Sequence, residues 1–386
     1  MDIFTFSKML SDQAFPDLKK LRYRYPDDFD EFLRSLKELS YKPLPLKAFD
    51  GTQLVYLEHY AGIDIRSVKL LLREQREDYG VLAAENEIYF SSAIEGIDFN
   101  RDSIRNILKG FAPRDEAENR ILGQKKGLEL ITDPGSAITE ENLFRLYQMM
   151  VGDFLTGEDR LPEGAYYRND AVYVVSDRIE HTGLDHRRLP EYMKTLLDFI
   201  TAEDGLDELL KAAMIHFYIA YLHPYFDGNG RMARMVQLWY LFRRGYRTAL
   251  FVPFSALIAK SRGDYYRAFT LTEKNRTLSG VVDVTPFLCY FAAQVYNRMP
   301  EAAAAGADTL ERYREAVRSG LFTKKETELW RFVLSRYGDG EFSTKQLERD
   351  FACAAYATVR AFARKCASLG LLETVHYGNR TGYRIR

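Results

Sequence analysis

The chain has few cysteines and no strong charge of either sign. Three cysteines occur among 386 residues, and their spacing fits neither a disulfide framework nor a metal-binding cluster. The formal net charge of −1 excludes a general attraction of the whole chain to nucleic acid or anionic lipid. We expect the three thiols to be packed side chains in a reducing cytoplasm.

Long apolar stretches are also missing. The start, MDIFTFSKMLSD, lacks the basic region and apolar centre of a secretory signal, and no later run approaches the length of a membrane span. We therefore expect a cytoplasmic protein that makes no membrane contact. Its 46% hydrophobic content and its length allow two or three domains with large cores.

One segment collects several chemical groups. Residues 223–234 read HPYFDGNGRMAR. Gly228 and Gly230 let the backbone around Asn229 curl so that several N–H groups point at one spot where a helix begins, and such a nest binds phosphate. His223 is the group whose ordinary pKa suits proton abstraction near neutral pH.

Two arginines and an acid complete the segment. Arg231 and Arg234 are three residues apart, so on a helix they share a face and can both reach one phosphate chain. Asp227 is suitably placed to hold Mg²⁺, because Mg²⁺ takes one or two carboxylates together with substrate oxygens. The segment therefore predicts a site for a nucleoside triphosphate.

Two plainer interpretations of the segment exist. Asp-Gly-Asn-Gly also occurs in calcium loops, but the first and last ligand positions would then be Tyr225 and Val236, which are not calcium ligands. Alternatively, the segment is a turn between helices with solvated arginines. Four chemical roles in one turn argue against that interpretation.

The segment resembles the signature of Fic domains, His-Pro-Phe-x-(Asp/Glu)-Gly-Asn-Gly-Arg-x-x-Arg, and departs from it only at Tyr225. Fic proteins typically transfer AMP from ATP to a hydroxyl side chain of a target protein, on an all-helical fold. The resemblance implies that His223 deprotonates the hydroxyl and that Asp227 holds Mg²⁺. It further implies that Gly228, Asn229 and Gly230 form a cradle that binds the α and β phosphates. Arg231 would then bind the β end of the phosphate chain, and Arg234 would bind the γ phosphate.

A second motif lies far away in the sequence. Residues 81–95 read as a helix that stops at Gly96, a suitable residue to follow a helix end. Within it, Ser91-x-x-x-Glu95-Gly96 is similar to the inhibitory motif (Ser/Thr)-x-x-x-Glu-(Gly/Asn) of Fic proteins. The resemblance implies that Glu95 pairs with Arg234, removes the clamp on the γ phosphate and restrains the enzyme. The plainer interpretation is an ordinary exposed acid.

Aromatic and β-branched residues at 171–179 alternate as in a short hairpin. Similar hairpins in Fic domains form a flap whose edge pairs with the backbone of the target protein. Tyr265 and Tyr266 resemble a Tyr-Tyr pair that closes over adenine in this family, although either ring could instead pack in the core. Arg168 is expected to be structural.

The helix that leads to the signature is expected from about Asp207 to Leu222, with one apolar side marked by Leu210, Met214, Phe217 and Tyr221. His216 lies two turns before His223 on this helix. A histidine at such a position is more often a buried support than a second base, and we predict the supporting role for it.

The C-terminal part, 322–386, carries twelve Lys and Arg against seven Asp and Glu. Its pattern predicts helices near 325–337, 343–351 and 355–369 followed by two short strands, which resembles a winged helix. The third helix would turn Tyr356, Arg360 and Arg364 outward, with Arg380 at the wing tip. This surface is expected to contact either DNA or protein, including a second copy of the chain.

The sequence thus predicts a mainly α protein: a Fic-type helical bundle with a small β-hairpin flap and a C-terminal winged helix. The predicted regions are an N-terminal helical part (1–80), the Fic domain (81–300) with the inhibitory helix near 81–96, a linker or connecting helix (301–321) and the winged helix (322–386). ATP and Mg²⁺ are the predicted substrate and ion. Alternatives are a Fic relative that moves another phosphate-linked group, which the intact triphosphate clamp argues against, and a nucleotide-sensing transcriptional regulator. The sequence leaves the oligomeric state open, including a homo-oligomer.

Overall fold

The computed structural model describes residues 1–12, 15–58, 80–175, 179–246, 254–299, 315–316, 318–337, 341–377 and 380–386. Four predicted features lie outside the described residues in whole or in part: the helical stretch at 66–79, the hairpin turn at 176–178, much of the linker at 301–321 and the wing turn at 378–379. The chain is mainly α with small antiparallel hairpins, as predicted.

The N-terminal part begins with three short helices, α1 (Ile3–Leu10), α2 (Leu18–Arg24) and α3 (Phe29–Ser35), the last extended by a wider turn to Ser40. Asp2 and Asp17 cap α1 and α2 by accepting hydrogen bonds from backbone N–H groups of the first turn, which would otherwise lack partners. The helices share a small core that includes Met9, Phe29 and Phe32.

A two-stranded hairpin follows, with β1 (Lys42–Lys47) antiparallel to β2 (Gln53–Tyr56). The sequence predicted a helical N-terminal part over residues 1–80, so this hairpin corrects that prediction; its strand β1 contains Pro43 and Pro45. Proline is tolerated in an edge strand, where its missing N–H removes no essential bond. The hairpin is tied to the central part by Val55, whose N–H donates to Val282 at 3.0 Å and whose carbonyl accepts from Val284 at 2.9 Å.

The central part is a helical bundle with one small hairpin. Its elements are α4 (Gly80–Ile94), α5 (Arg101–Leu108), α6 (Glu116–Thr132), α7 (Glu140–Met150), β3 (Tyr173–Val175), β4 (Ile179–Thr182), α8 (Leu189–Thr201), α9 (Glu208–Leu222), α10 (Asn229–Arg243), α11 (Phe254–Lys260), α12 (Arg262–Ser279) and α13 (Thr285–Tyr290), which continues in irregular turns to Arg298.

Helices α9 and α10 pack against each other at the centre of the bundle. The sequence predicted one apolar side for α9, and this prediction was wrong. Every residue from Leu209 to Ile219 is buried, because neighbouring helices surround α9 on all sides. The polar members of this stretch are paired: Lys211 donates to the carbonyl of Ala202 at 2.6 Å and lies 2.8 Å from Asp204.

Helix α4 ends just before Gly96, where the sequence predicted its end. Gly96 has a φ of 79°, a left-handed conformation that glycine adopts without steric cost. Two backbone bonds close the helix end, from Gly96 N–H to Ala93 and from Ile97 N–H to Ser92. The next helix, α5, has Asn100 as its capping residue. This tight ending determines where Glu95 lies.

The C-terminal part contains α14 (Lys324–Arg336), α15 (Thr344–Phe351) and α16 (Tyr356–Ser368), then an antiparallel hairpin of β5 (Leu372–Tyr377) and β6 (Arg380–Ile385). The order and positions of these elements agree with the prediction from sequence. They enclose a separate core built around Trp330, Phe342 and Phe362. Helix α14 also contacts α4. None of the helices in the described part combines the length and the apolar composition that a bilayer crossing needs.

Candidate functional site

His223 ends α9 in an unusual backbone conformation. Its φ of 53° lies in the left-handed region, which residues with a β-carbon rarely adopt. Arg168 holds this turn: its Nε donates to the carbonyl of His223 at 2.7 Å, and its other nitrogens donate to the carbonyls of Asp170 and Leu184. The structural role predicted for Arg168 is therefore what its contacts show.

The imidazole of His223 is set up to accept a proton. Nδ1 lies 3.3 Å from the carbonyl of Ala220, and because a carbonyl only accepts, Nδ1 carries the hydrogen and Nε2 keeps its lone pair. Burial lowers the pKa of His223 to about 4, so the ring is neutral at physiological pH. A neutral imidazole with a free Nε2 can act as a general base.

The turn after His223 is closed by Asn229. Its side-chain oxygen accepts from the N–H of Tyr225 at 3.0 Å, and its side-chain nitrogen donates to the carbonyl of Tyr225 at 2.8 Å. The ring of Tyr225 stacks on Tyr147, with ring centroids 3.9 Å apart and planes 6° from parallel. Tyrosine at the usual phenylalanine position is thus accommodated by stacking, and the Asn229 side chain shapes the loop.

The start of α10 offers open backbone donors. Gly228 precedes it with a φ of 80°. The first bond of the helix runs from the N–H of Met232 to the carbonyl of Gly228, and the N–H groups of Asn229, Gly230 and Arg231 have no hydrogen-bond partner within the described residues. Unpaired N–H groups at a helix start, together with the positive end of the helix dipole, form an anion site.

The two signature arginines do not point to a common spot, contrary to their predicted shared reach. Arg231 donates from Nη2 to Asp227 at 2.9 Å. Arg234 instead faces the end of α4, which packs against α10. Because they are three residues apart, Arg231 and Arg234 are neighbours on the surface of α10, but their side chains bind partners from different elements.

Arg234 is buried and is held by the end of α4. Its Nε donates to Oγ of Ser91 at 2.9 Å, and its Nη2 donates to the carbonyl of Ser91 at 2.8 Å. The same Nη2 lies 2.8 Å from Oε1 of Glu95. Its Nη1 is buried without a partner among the described residues. The pairing predicted between Glu95 and Arg234 is therefore present, and Ser91 contributes two further bonds.

A buried acid on α4 was missed from the sequence. Glu87 is buried, and its carboxylate accepts from Oγ of Ser255 at 2.5 Å. Burial raises the pKa of Glu87. Glu87, Ser91 and Glu95 recur every four residues, so they share one face of α4. That spacing was the signal that would have identified a polar face turned toward the bundle.

Asp227 lies just before the start of α10, as its place in the segment 223–234 indicated, and its side chain contacts few other groups. Its side chain is 56% exposed. One oxygen accepts from the N–H of Gly228 at 2.5 Å and the other pairs with Arg231. No group of three or more metal-binding side chains occurs in the part of the chain that the structure describes. A single exposed carboxylate fits an ion that takes its remaining ligands from phosphate and water.

One cavity is lined by His223 and Gly230 and also by the rings of Phe217, Tyr221 and Phe269. Tyr265 and Tyr266 both line it, but they differ in accessibility: Tyr265 is 3% exposed and Tyr266 is 38% exposed. The Tyr266 hydroxyl also donates to the carbonyl of Ile94 at 3.3 Å, beside Glu95.

His216 lies beneath the cavity and supports Tyr265. Its Nε2 lies 2.8 Å from the hydroxyl of Tyr265, and its Nδ1 lies 2.6 Å from Oε1 of Gln237. Burial lowers the pKa of His216 to about 3. The supporting role predicted for His216 agrees with these contacts.

His181, on β4 of the hairpin, was not singled out from the sequence. Its Nε2 lies 2.7 Å from the carbonyl of Tyr221, and its Nδ1 lies 3.1 Å from Oε1 of Glu273 on α12. These two contacts attach the hairpin to α9 and α12 at the wall of the cavity. A single histidine in a short strand gives no sequence pattern from which such an anchor could be predicted.

A family model described as the Fic/DOC family matches residues 137–241. Among curated proteins, the chain is 27% identical over 215 residues to a protein named "Protein adenylyltransferase Fic" from Nematostella vectensis, covering 53% of this chain and 45% of the relative. It is 25% identical over 235 residues to "Protein adenylyltransferase fic-1" from Caenorhabditis elegans, covering 58% and 41%. The chain thus spans less than half the length of these curated relatives.

Among solved structures, a Fic family protein from Desulfovibrio desulfuricans G20 shares the fold, with a TM-score of 0.51, 20% identity, and coverage of 79% of this chain and 87% of the other. The chain contains a Fic domain. The family match includes the whole segment 223–234, whereas Ser91, Glu95, Tyr265 and Tyr266 lie outside it.

Proposed function

We propose that the protein is an adenylyltransferase, which transfers AMP from ATP to a hydroxyl side chain of a target protein and is restrained by Glu95. The observation that carries the proposal is the contact of Glu95 and Ser91 with Arg234 at the start of α10. Glu95 and Ser91 hold the guanidinium of Arg234, which lies on the same helix whose first N–H groups are open to an anion. The curated relatives named protein adenylyltransferase support the same activity.

In the proposed reaction, ATP lies with its phosphates at the open N–H groups of Asn229 and Gly230. The hydroxyl oxygen of the target attacks the α phosphorus while His223 Nε2 takes the hydroxyl proton. The bond from the α phosphorus to the bridging oxygen breaks, and pyrophosphate leaves with the electron pair. The open N–H groups stabilise the negative charge on the phosphate oxygens.

Mg²⁺ fits this proposal through Asp227. The carboxylate is accessible, and its bond to Arg231 can be exchanged for an ion at the phosphates. When bound there, Mg²⁺ would neutralise charge on the phosphate chain. Arg231, which pairs with Asp227 in the structure, would then be available to the β phosphate.

Tyr266 and the aromatic lining of the cavity are the proposed location of the adenine. Phe269 is partly exposed and offers an apolar face on which a purine can stack, whereas Phe217, Tyr221 and Tyr265 are almost fully buried. The hydroxyl of Tyr265 is also bound to His216. We therefore assign base contact to Tyr266 and a packing role to Tyr265.

The target protein is proposed to bind along the hairpin of β3 and β4. The exposed Tyr173 lies on β3, and Val174 and His181 line the cavity that leads to His223. A target segment that pairs with this hairpin as an added strand would present its hydroxyl to the base.

The test is labelling by ATP that carries the label on the α or on the γ phosphate, with Mg²⁺ present. We expect weak self-labelling from the α phosphate by the wild-type protein, labelling at least tenfold stronger for Glu95→Gly, and none for Glu95→Gly/His223→Ala. Calorimetric titration with ATP checks that the inactive variant still binds nucleotide. Transfer of the γ label, or an inactive Glu95→Gly protein that binds ATP normally, would refute adenylyl transfer.

A further inference from the structure

Helix α16 carries an exposed row of cationic and aromatic side chains. Tyr356, Arg360 and Arg364 recur every four residues and are exposed, whereas Val359 and Phe362 are buried in the C-terminal core. Side chains four apart on a helix lie about 6 Å from each other, so the row is about 12 Å long. The helix has no acidic residue along its whole length.

The cations of this row are not neutralised within the protein. Arg360 and Arg364 make no ion pair with any described residue, and the same holds for Lys345 on α15. Other cations of the C-terminal part do have acidic partners: Lys325 with Glu328, Arg349 with Asp350, Lys365 with Glu326, and Arg384 with Glu373. The acids are therefore used on other faces, and the positive charge of the row is open to a ligand.

The start of α15 extends the same surface. Oγ1 of Thr344 lies 3.3 Å from the hydroxyl of Tyr356, which brings the first turn of α15 beside the first turn of α16. Lys345 is exposed and comes directly after Thr344, so it lies at the edge of this surface about a quarter turn around α15. Glu348 shares the face of Thr344 because it lies four residues later, and it has no ion pair among the described residues. This acid reduces the local surplus of positive charge without reversing it.

We propose that this surface, formed by Lys345, Tyr356, Arg360 and Arg364, binds duplex DNA. Arginine side chains suit phosphate oxygens and the guanine edge because both accept two parallel hydrogen bonds. An α-helix with its side chains is about 10 to 12 Å in diameter, so α16 fits the major groove of B-form DNA, which is about 12 Å wide, with its outward row turned toward the bases and phosphates. The major groove of duplex RNA is too narrow for a helix, so DNA is the favoured nucleic acid.

The test measures fluorescence anisotropy of a labelled 30-base-pair DNA duplex of mixed sequence with the full-length protein, between 50 and 200 mM salt. Three phosphate contacts give a slope of log affinity against log salt of about −2.7, which corresponds to a loss of about 40-fold over this range. An RNA duplex of the same sequence is measured in parallel and should bind at least tenfold more weakly.

Matched variants connect the binding to the surface. Arg360→Ala/Arg364→Ala should weaken DNA binding and reduce the slope to about −0.9, because two contacts are lost. Arg360→Lys/Arg364→Lys should keep most of the slope. The control Lys19→Ala/Lys126→Ala removes the same charge from exposed lysines elsewhere and should leave binding unchanged.

Several results would overturn the proposal: no DNA binding at 50 mM salt, equal binding of the RNA duplex, or an equal loss in the lysine control. Unchanged binding by Arg360→Ala/Arg364→Ala would also overturn it, because the contact would then lie elsewhere. Thermal melting by circular dichroism verifies that each variant is folded. None of these readouts depends on adenylyl transfer, so the two proposals are tested separately.

Discussion

The carboxylate of Glu95 rests directly against the backbone of Gly230. A β-carbon built on Gly230 would lie 2.2 Å from Oε1 of Glu95 and 3.3 Å from Nη1 of Arg234. Glycine at this position therefore lets a negatively charged group come close to the open N–H groups of the first turn of α10. The glutamate occupies the space that a phosphate would need.

The contact between Glu95 and the backbone of Gly230 predicts that a methyl group added at position 230 lowers the affinity for nucleotide. In a Glu95→Gly background, Gly230→Ala should weaken ATP binding at least tenfold, because the new β-carbon keeps phosphate away from the N–H groups. Calorimetric titration measures the affinity. The control is Gly263→Ala on α12, where an added β-carbon meets open space. Unchanged affinity of the Gly230→Ala protein would place the phosphates elsewhere.

Ser91 should share in the restraint. Ser91→Ala removes the partner of Arg234 Nε and leaves a buried donor unpaired, at a cost of about 1 to 3 kcal/mol to the restrained state. We expect self-labelling between that of the wild-type protein and that of Glu95→Gly. Ser92→Ala is the matched control, because the buried hydroxyl of Ser92 has no partner among the described residues. If both alanine variants label alike, the hydrogen bond to Ser91 does not contribute.

The Asn229 bridge is predicted to stabilise the loop. Asn229→Ala leaves the N–H and the carbonyl of Tyr225 unpaired in a buried place and should lower the free energy of unfolding by about 2 to 4 kcal/mol. Urea unfolding measures the change. Asn142→Ala, which removes an exposed hydrogen bond to the carbonyl of Ala137, should cost less than about 1 kcal/mol. Equal costs would show that the bridge is not special.

The folded protein should lose stability as the pH falls below 6.5, the ordinary pKa of histidine. The pKa values of His216 and His223 are lowered from 6.5 to about 3 and about 4 in the folded protein. Between pH 6.5 and 4 the unfolded chain binds protons that the folded chain does not, so stability is full above this window and is lost as pH falls through it. Each histidine contributes about 2 kcal/mol of loss between pH 7 and pH 5.

A glutamine at position 216 provides the test of this pH dependence. Urea unfolding at pH 7 and pH 5 should show a smaller difference for His216→Gln than for the wild-type protein. His376→Gln, which changes an exposed histidine on β5, should behave as the wild type does. A wild-type stability that is constant between pH 7 and pH 5 would contradict the buried neutral state of these rings.

Local sequence signals predicted the parts of the site that local chemistry determines. Gly96 ends α4, and the glycines around Asn229 form the turn, because each feature depends on a few neighbouring residues. The direction of Arg234 could not be derived from spacing alone. It depends on how α4 docks against α10, and only the family resemblance indicated that pairing.

Other features required the packed molecule. The burial of α9 on every side follows from the number of helices around it, which periodicity does not report. Strand β1 contains prolines that usually indicate a break, yet its edge position tolerates them. His181 acquires its importance from contacts with Tyr221 and Glu273, which are distant in the sequence.

The left-handed backbone at His223 has a consequence for how the protein can change over time. A residue with a β-carbon in that conformation costs the folded chain about 1 to 2 kcal/mol, whereas glycine avoids the cost and asparagine reduces it. The backbone alone would favour either replacement, whereas the packing of the ring, its contact with the carbonyl of Ala220 and its proposed role as a base oppose it. Stability and the proposed catalysis therefore favour different residues at position 223. In homologues that no longer carry out the reaction, we expect this histidine to be replaced early.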